Sequence, residues 1–180
     1  MAVRFSTPDK QCIVQQAYHV GDLDEAIGRW HRMLGIGPFL VRRHIALDDV
    51  LYRGQRATLD ISAAHAQAGD IQIELVQQHC SSPSAFRDMF APDEEGLHHI
   101  ALFPEDHEAM VGHYRQLGFE TATELITAER RGAAYVDTCA TLGHMVEIYR
   151  VNDSLVEFYR AIERAANEWD RRALMIELGR

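Results

Sequence analysis

The 180-residue sequence predicts an α+β fold of two tandem βαβββ modules followed by a long C-terminal helix. The first observation is an internal repeat. The segment QQAYHVGDLDEAIGRWHRMLG, from Gln15, matches HIALFPEDHEAMVGHYRQLG, from His99, at one constant offset until the final glycines. The second observation is that both copies have the same order of elements: an apolar strand ends near an aspartate, and a helix follows. The third is a change to helical period after Val151.

Each copy predicts one amphipathic helix that begins at an aspartate. The carboxylates of Asp22 and Asp106 can accept hydrogen bonds from the free N–H groups of the first helical turn. In the first copy Glu25 lies three residues after Asp22, as in a capping box. Apolar residues then recur on one helix face. They are Leu23, Ala26, Ile27, Trp30 and Leu34 in the first copy, and Met110, Val111, Tyr114 and Leu117 in the second. Gly35 and Gly118 end the two helices.

Three segments with strand character follow each helix. They are PFLVRRHI, QRATLDISAA and DIQIELVQQ in the first copy, and ETATELITA, GAAYVDTC and HMVEIYR in the second. The two βαβββ modules therefore span residues 12–78 and 96–151. Residues 79–95, which are rich in serine, proline and acidic side chains, form the linker, with one helical turn expected at 85–90.

The segment 152–178 lies outside the repeat and predicts a long amphipathic helix. It starts with residues that favour helix N-termini, and charged side chains lie opposite its apolar positions. The apolar stripe comprises Leu155, Phe158, Ile162, Ala165, Trp169 and Ile176. Such a stripe is expected to cover either a face of the sheet or a partner subunit.

Composition excludes several classes of function. The formal net charge of -9 argues against nucleic acid as a partner, because phosphate binding needs clustered lysine and arginine. No apolar run is long enough to span a membrane, and the N-terminus has no signal-peptide core, so we expect a cytoplasmic protein without a membrane partner. The 3 cysteines are an odd number and do not have the spacing of metal-binding or redox motifs. They are expected to be reduced thiols.

Four polar positions are equivalent under the repeat. Glu74 and Glu147 each lie in the middle of an otherwise apolar last strand, and a buried carboxylate requires a partner because its desolvation is costly. The first strands offer Gln15 and His99 at matching positions. Two carboxylates, one imidazole and one amide are therefore expected to come together. Six other histidines have no common geometry that the sequence predicts: His31, His65, His79, His107, His113 and His144.

The doubled βαβββ pattern, with HHIALFPED opening the second copy and IELVQ and VEIYR ending the copies, resembles the vicinal oxygen chelate superfamily. That superfamily includes glyoxalase I, methylmalonyl-CoA epimerase, extradiol dioxygenases and bleomycin-resistance proteins. The segment QQAYHVGDLDEAIGRWHRMLGIGPF is most similar to the glyoxalase- and epimerase-like branch. The resemblance implies a curled mixed sheet around a cleft that binds one metal ion. Its ligand positions fall on Gln15, Glu74, His99 and Glu147.

Two choices within this ligand set need an argument. His99, and not His98, precedes IAL as the family's ligand histidine does, and neighbouring strand residues point to opposite faces, so His98 is expected to be a packed or hydrogen-bonded histidine. At the first position many relatives have histidine, whereas this chain has Gln15, with His19 four residues later. Four strand residues span about 13 Å, too far for both to bind one ion. We expect Gln15 to be the ligand and keep His19 as the alternative.

The donor set suits one divalent ion per chain such as Zn, Ni, Co, Mn or Mg. The resemblance implies a lyase or isomerase that chelates a substrate carbonyl or enolate, with Glu147 and Glu74 moving a proton on the adjacent carbon. One alternative is a metal-free ligand-binding protein of the bleomycin-resistance kind. Another is an extradiol dioxygenase, which would need two histidines and one carboxylate around Fe(II). The expected partners are a small-molecule substrate and a second copy in a homodimer.

Overall fold

A single mixed sheet forms the body of the molecule. The structure is a computed structural model that describes residues 4–127 and 132–179. Within these ranges the sheet is 11-stranded, curled and open, and the described helices lie along it. The α+β class and the curled mixed sheet expected from the sequence are thereby confirmed.

The first repeat supplies one end of the sheet. Its elements in chain order are β1 (Ile13–His19), α1 (Leu23–Leu34), β2 (Phe39–Arg42), β3 (Leu47–Tyr52), β4 (Gln55–Arg56), β5 (Ile61–Ala68) and β6 (Ile71–Gln78). The strands β2, β5, β6 and β1 are neighbours in that order, with β1 and β6 parallel. Apolar residues of α1 pack on β5 and β6 to form the core of this half.

The second repeat supplies the other end with the same arrangement. The linker before it contains α2 (Ala85–Met89). The elements of the repeat are β7 (Gly96–Leu102), α3 (His107–Gln116), β8 (Thr121–Thr127), β9 (Gly132–Val136), α4 (Cys139–Leu142) and β10 (Met145–Arg150). The strands β7, β10, β9 and β8 are neighbours in that order. Antiparallel pairing of β1 with β7 joins the two halves, so the first strands of both copies lie at the centre of the sheet.

The two repeat helices begin as the sequence predicts but differ at their ends. Asp22 Oδ1 accepts a hydrogen bond from the Glu25 N–H at 2.9 Å, and Asp106 Oδ1 accepts one from the Ala109 N–H at 3.0 Å. Leu34 and Leu117, expected on the buried faces, are instead 61% and 58% exposed. Both lie in the last turn, where the predicted apolar face no longer packs against the sheet.

The hairpin of β3 and β4 was not predicted by the sequence. β3 pairs antiparallel with β8, so a segment of the first half extends the sheet of the second half. Only Val50 of this strand is buried, and two adjacent aspartates interrupt its alternation of apolar and polar residues. A strand of this kind depends on its neighbours for backbone pairing and has little pattern of its own.

The predicted helix over 152–178 is wrong beyond residue 167. Helix α5 covers Asp153–Asn167, and Met175–Glu177 forms a further strand, β11, which pairs parallel with β2. The Trp169 indole donates to the Ala173 carbonyl at 2.8 Å across the intervening turn. The Trp169 ring also fills the space beside Gly37, where a Cβ atom would lie 2.7 Å from it. These local contacts take the chain back to the sheet edge.

Helix α5 covers a face of the sheet. Leu155, Tyr159 and Ile162 are buried on its inner side, and part of this face packs against Val14, Ala101 and Phe103. The sequence left open whether this apolar stripe covers a face of the sheet or a partner subunit. In the structure it covers the sheet of its own chain. Among the described residues, no helix combines the length and the apolar character needed to cross a membrane.

Candidate metal centre

The pairing of the central strands brings the four predicted site positions together. Ala17 of β1 lies opposite Glu74 of β6 on one side and opposite His99 of β7 on the other. Ala101 of β7 lies opposite Gln15 of β1 and opposite Glu147 of β10. The register therefore has the symmetry of the sequence repeat. The two alanines present only methyl groups, which leaves space between the longer side chains on either side.

Three of these side chains converge on one point. His99 Nε2 lies 3.1 Å from Glu147 Oε2 and 3.4 Å from Glu74 Oε2. All three residues are buried, and these three atoms have no partner in the described part of the chain other than one another. Buried polar atoms are normally paired, and here two carboxylate oxygens share one imidazole nitrogen, which leaves acceptor capacity unfilled. A metal ion among the three atoms would fill it.

Neighbouring residues orient the converging groups. His65, opposite Glu74 in β5, places its Nε2 atom 3.0 Å from Glu74 Oε1, which leaves Oε2 for the centre. In the second half Tyr135 is opposite Glu147 in β9. His98 Nδ1 lies 2.7 Å from His99 Nδ1, so the His99 ring turns Nε2 toward the carboxylates. Each central group thus has a polar neighbour that fixes its direction.

The charges at the centre shift several pKa values. Burial alone would lower the pKa of His99, but the negative charges of Glu147 and Glu74 outweigh it and raise that pKa to about 9. Burial would raise the pKa of Glu74, and the opposing effects of His65 and His99 bring it well below its usual range. Without a metal the centre therefore contains an imidazolium beside a carboxylate, in the place where a cation would bind.

Gln15 lies next to this cluster, and its amide is only partly satisfied. The Tyr149 hydroxyl donates to Gln15 Oε1 at 3.1 Å, while Gln15 Nε2 is buried without a hydrogen-bond partner in the described residues. Since the amide oxygen and nitrogen can exchange places by rotation, the side chain can present oxygen in either direction. In the register of β1, Gln15 lies two residues before Ala17 and therefore on the same face of the sheet.

His19 lies away from the cluster and has no free ring nitrogen. Its Nδ1 atom is 2.7 Å from the Glu94 carbonyl, and the Arg87 guanidinium lies 3.1 Å from its Nε2 atom. Burial lowers the pKa of His19, so the ring is neutral, with Nδ1 donating to Glu94 and Nε2 accepting from Arg87. The ring also stacks on Phe90 of the linker at 5.4 Å. These contacts attach the linker to the end of β1.

His98 has the packed and hydrogen-bonded environment expected from the sequence. Besides its contact with His99, its ring stacks on Phe86 at 4.3 Å. Burial and the adjacent charge of His99 lower the pKa of His98 well below its usual value, so it stays neutral. A neutral His98 can accept a hydrogen bond from His99 Nδ1–H, which directs the other nitrogen of His99 to the centre.

A cavity of about 70 Å³ opens beside the cluster and is covered by α5. Glu74, Glu147 and His65 form its polar end, and Arg42 supplies a cation in its wall. Helix α5 contributes Leu155, Phe158 and Tyr159 to the lining. The Phe158 ring meets His65 edge-on at 5.0 Å. The remaining walls are mostly apolar, so a small molecule in this space would be shielded from water.

Three tyrosines surround Glu147 and remain neutral. Burial, followed by the charge of Glu147, raises the pKa of Tyr135, Tyr149 and Tyr159 well above the usual value. The buried Tyr159 hydroxyl makes no hydrogen bond in the described part of the chain, although its residue lines the cavity.

The sequence did not predict the site roles of His65, Tyr135 and Tyr159. For His65 a signal was present: the two-residue turn at Gly69 and Asp70 closes a hairpin whose register puts His65 opposite Glu74. Tyr135 lies on a strand joined to its partner by a longer connection, and Tyr159 lies on a helix outside the repeat. Neither position can be deduced from spacing alone.

Comparison with known proteins agrees with the repeat and its geometry. Residues 14–136 match the family model of the Glyoxalase/Bleomycin resistance protein/Dioxygenase superfamily. No curated protein matches the chain. A solved structure of a hypothetical protein from Bacillus halodurans C-125 superposes with a TM-score of 0.57 at 16% identity, over 79% of this chain and 96% of the other.

Two epimerase structures have the same fold. A methylmalonyl-CoA epimerase in complex with methylmalonyl-CoA and NH4+ superposes with a TM-score of 0.52 at 16% identity, over 77% of this chain and 93% of the other. A methylmalonyl-CoA epimerase variant from Streptomyces coelicolor, in complex with 2-nitronate-propionyl-CoA, also gives 0.52, at 17% identity, over 77% of this chain and 92% of the other. At these identities the likeness concerns the fold.

Proposed function

Because the chain belongs to the Glyoxalase/Bleomycin resistance protein/Dioxygenase superfamily, we propose that it is a divalent-metal-dependent isomerase or lyase acting on a small carbonyl compound. In this proposal Glu74, His99 and Glu147 bind one ion such as Zn, Ni, Co, Mn or Mg, and Gln15 is the fourth ligand. The observation that carries it is the convergence of three buried donor atoms, which have no partner in the described chain but one another, at the end of a cavity. Nitrogen and oxygen donors in this combination suit a borderline or hard divalent ion.

The proposed reaction is proton transfer at the carbon next to a carbonyl. The bound ion would supply electrophilic stabilisation of negative charge developing on the substrate oxygen. Glu147 takes the proton from one side, and Glu74 serves as the acid or base on the other. Glu74 Oε1 contacts His65, so a proton on this carboxylate can be shared with that imidazole. Two such groups on opposite faces give epimerisation, and transfer between adjacent carbons gives isomerisation.

The cavity lining suggests how a substrate would be oriented. The Tyr159 hydroxyl, neutral and without a hydrogen-bond partner in the described chain, can donate to a substrate oxygen. Arg42 lines the cavity, and its positive charge suits a substrate carboxylate. A space of about 70 Å³ is far smaller than the several hundred Å³ of sites for larger ligands. We therefore favour a small 2-oxo or 2-hydroxy acid as substrate over a bulky acyl thioester.

The experiment measures exchange of carbon-bound hydrogen in heavy water. Metal-reconstituted protein is incubated with small 2-oxo acids, 2-hydroxy acids and acyl thioesters, and NMR follows deuterium entering the carbon next to the carbonyl. We expect exchange without oxygen consumption, and its loss in Glu147→Gln. Glu108→Gln, on the exposed side of α3 away from the cavity, is the matched control and should retain exchange.

Other outcomes would favour the other functions of this superfamily. Failure to bind Zn, Ni, Co or Mn in turn would overturn the proposal and support a metal-free binding protein. Oxygen uptake with a catechol and Fe(II) would support a dioxygenase. The central cluster has one histidine and two carboxylates, whereas the dioxygenase triad has two histidines and one carboxylate. This donor set is the reason for preferring the isomerase or lyase.

A further inference from the structure

A second group of metal-ligating side chains lies outside the central cluster. His44, Asp60 and His79 each offer one donor atom, and these atoms all lie within 4.8 Å of one another. His44 Nδ1 is 2.8 Å from Asp60 Oδ1, and the two imidazole rings have centroids 4.4 Å apart. The histidines are exposed and Asp60 is half-buried, so an ion could reach the group directly from solvent.

Backbone contacts fix the segments that present these side chains. His44 follows β2, Asp60 precedes β5 and His79 follows β6. The His44 N–H donates to Ser62 Oγ at 3.0 Å, and the His79 N–H donates to the Asp60 carbonyl at 2.8 Å. Ser62 Oγ also lies 2.7 Å from His79 Nε2, so one serine contacts both histidines. The three side chains therefore start from backbone segments that hydrogen bonds already hold together.

We propose that His44, Asp60 and His79 form a second metal site, which binds a divalent transition-metal ion such as Zn²⁺, Ni²⁺ or Cu²⁺. Two imidazoles and one carboxylate match the preferences of these ions, whereas Mg²⁺ and Ca²⁺ prefer oxygen ligands alone. Three protein donors leave at least one position for water. This site shares no residue with the Glu74, His99 and Glu147 cluster, so it does not depend on the proposed function.

The second site lies at the rim of the cavity. Arg42 and Ile45, on either side of His44 along the chain, contribute to the cavity wall, as does Ile61, which follows Asp60. The Ile45 N–H donates to the Ile61 carbonyl at 2.8 Å, so the two rim segments are already paired there. An ion bound by His44, Asp60 and His79 would link these segments to the end of β6. Metal binding would thus stabilise the wall of the cavity.

The test is the stoichiometry of Zn²⁺ binding by the full chain, measured by dialysis and elemental analysis. We expect about two ions per chain in the wild type and about one in the double variant His44→Ala with His79→Ala. His113→Ala, which removes a histidine outside both groups, is the control and should bind as the wild type does. Asp60→Asn provides a second variant that keeps the rings in place and should weaken binding at the rim.

Independent loss of each ion separates the two sites. His99→Ala should lose the central ion and retain the rim ion, whose Cu²⁺ form should show nitrogen hyperfine coupling in electron paramagnetic resonance. Equal Zn²⁺ content in the wild type and the double rim variant would overturn the second site. A third outcome is a wild type that binds only one ion. If that ion is lost in the double rim variant and retained in His99→Ala, the result would support the rim site and contradict the proposed function.

Discussion

Ala17 and Ala101 determine how closely the polar side chains of the centre can approach one another. Each alanine is fully buried and lies between two site residues on neighbouring strands. A larger side chain at either position would occupy the space into which Glu74, His99 and Glu147 extend. The repeat pairs these two alanines in the sequence, so duplication placed a small residue twice at the point where the halves meet.

His65 is expected to position Glu74 without binding the metal. His65→Leu removes the contact with Glu74 Oε1 and should weaken metal affinity by about 10–100-fold, as is typical for the loss of an orienting partner. His65→Gln keeps a donor and should restore part of the affinity. Competitive titration with a chelator measures both. A loss as large as that in His99→Ala, with no rescue by glutamine, would make His65 a ligand.

Gln15 and His19 should respond differently to substitution. Gln15→Ala is expected to lower metal affinity, because it removes the amide next to the cluster. His19→Ala should leave metal affinity unchanged and cost about 1–3 kcal/mol in the free energy of unfolding, since Glu94 and Arg87 lose their buried partner. Metal titration and chemical denaturation of both variants make the comparison. The reverse pattern would identify His19 as the ligand.

At the scale of the elements, the repeat explains why the central strands were predictable and others were not. Because the copies share one register, aligning them was enough to place Gln15, Glu74, His99 and Glu147 on facing strands. The strands β3 and β11 pair with strands that are distant in the sequence. Most residues of β3 are only partly buried, and all three residues of β11 are exposed. Their structure depends on neighbours that local pattern does not specify.

Helix α5 gives the clearest example of tertiary context deciding an element. Its N-terminus was predicted correctly, and the Asn152 side chain accepts a hydrogen bond from the Leu155 N–H at 2.9 Å. The end of the helix was not predicted correctly, because charged and apolar residues continue at helical spacing beyond Asn167. Pairing of β11 with β2 supplies backbone hydrogen bonds that the continued helix would have provided internally. The sequence left the partner of its apolar face open, and the structure shows the sheet.

Removing an aromatic side chain of α5 should widen the range of substrates. Phe158→Ala opens the cavity above His65 and is expected to admit larger acids in the deuterium-exchange assay. Phe158 is only half-buried, so the loss of stability should be below the ~3–5 kcal/mol typical of a fully buried phenylalanine. Arg160→Ala, on the exposed side of the same helix, is the control. An unchanged substrate range would exclude α5 as a determinant of size.

For the whole molecule, the homodimer remains a prediction that rests on the resemblance. The apolar face of α5 already packs within the chain, so it does not supply the interface. Light scattering of the full chain should give about twice the mass of one chain. A truncation that ends at Val151 should lower the melting temperature, because it uncovers the sheet beneath Leu155, Tyr159 and Ile162. A monomeric mass at all concentrations tested would contradict the dimer.

Metal binding at the centre should stabilise the molecule as a whole, since its ligands come from both halves of the sheet. In the His44→Ala, His79→Ala background, which isolates the central site, Zn²⁺ at about 100 times its dissociation constant should add about 2.7 kcal/mol to the free energy of unfolding. For a chain of this length that corresponds to a rise of about 5–10 °C in melting temperature, measured by calorimetry. Adding Glu147→Gln to the same background removes a converging donor and should abolish the shift at equal Zn²⁺ concentration. An equal rise in both proteins would mean that Zn²⁺ binds elsewhere, and the central cluster would lose its role as the metal site.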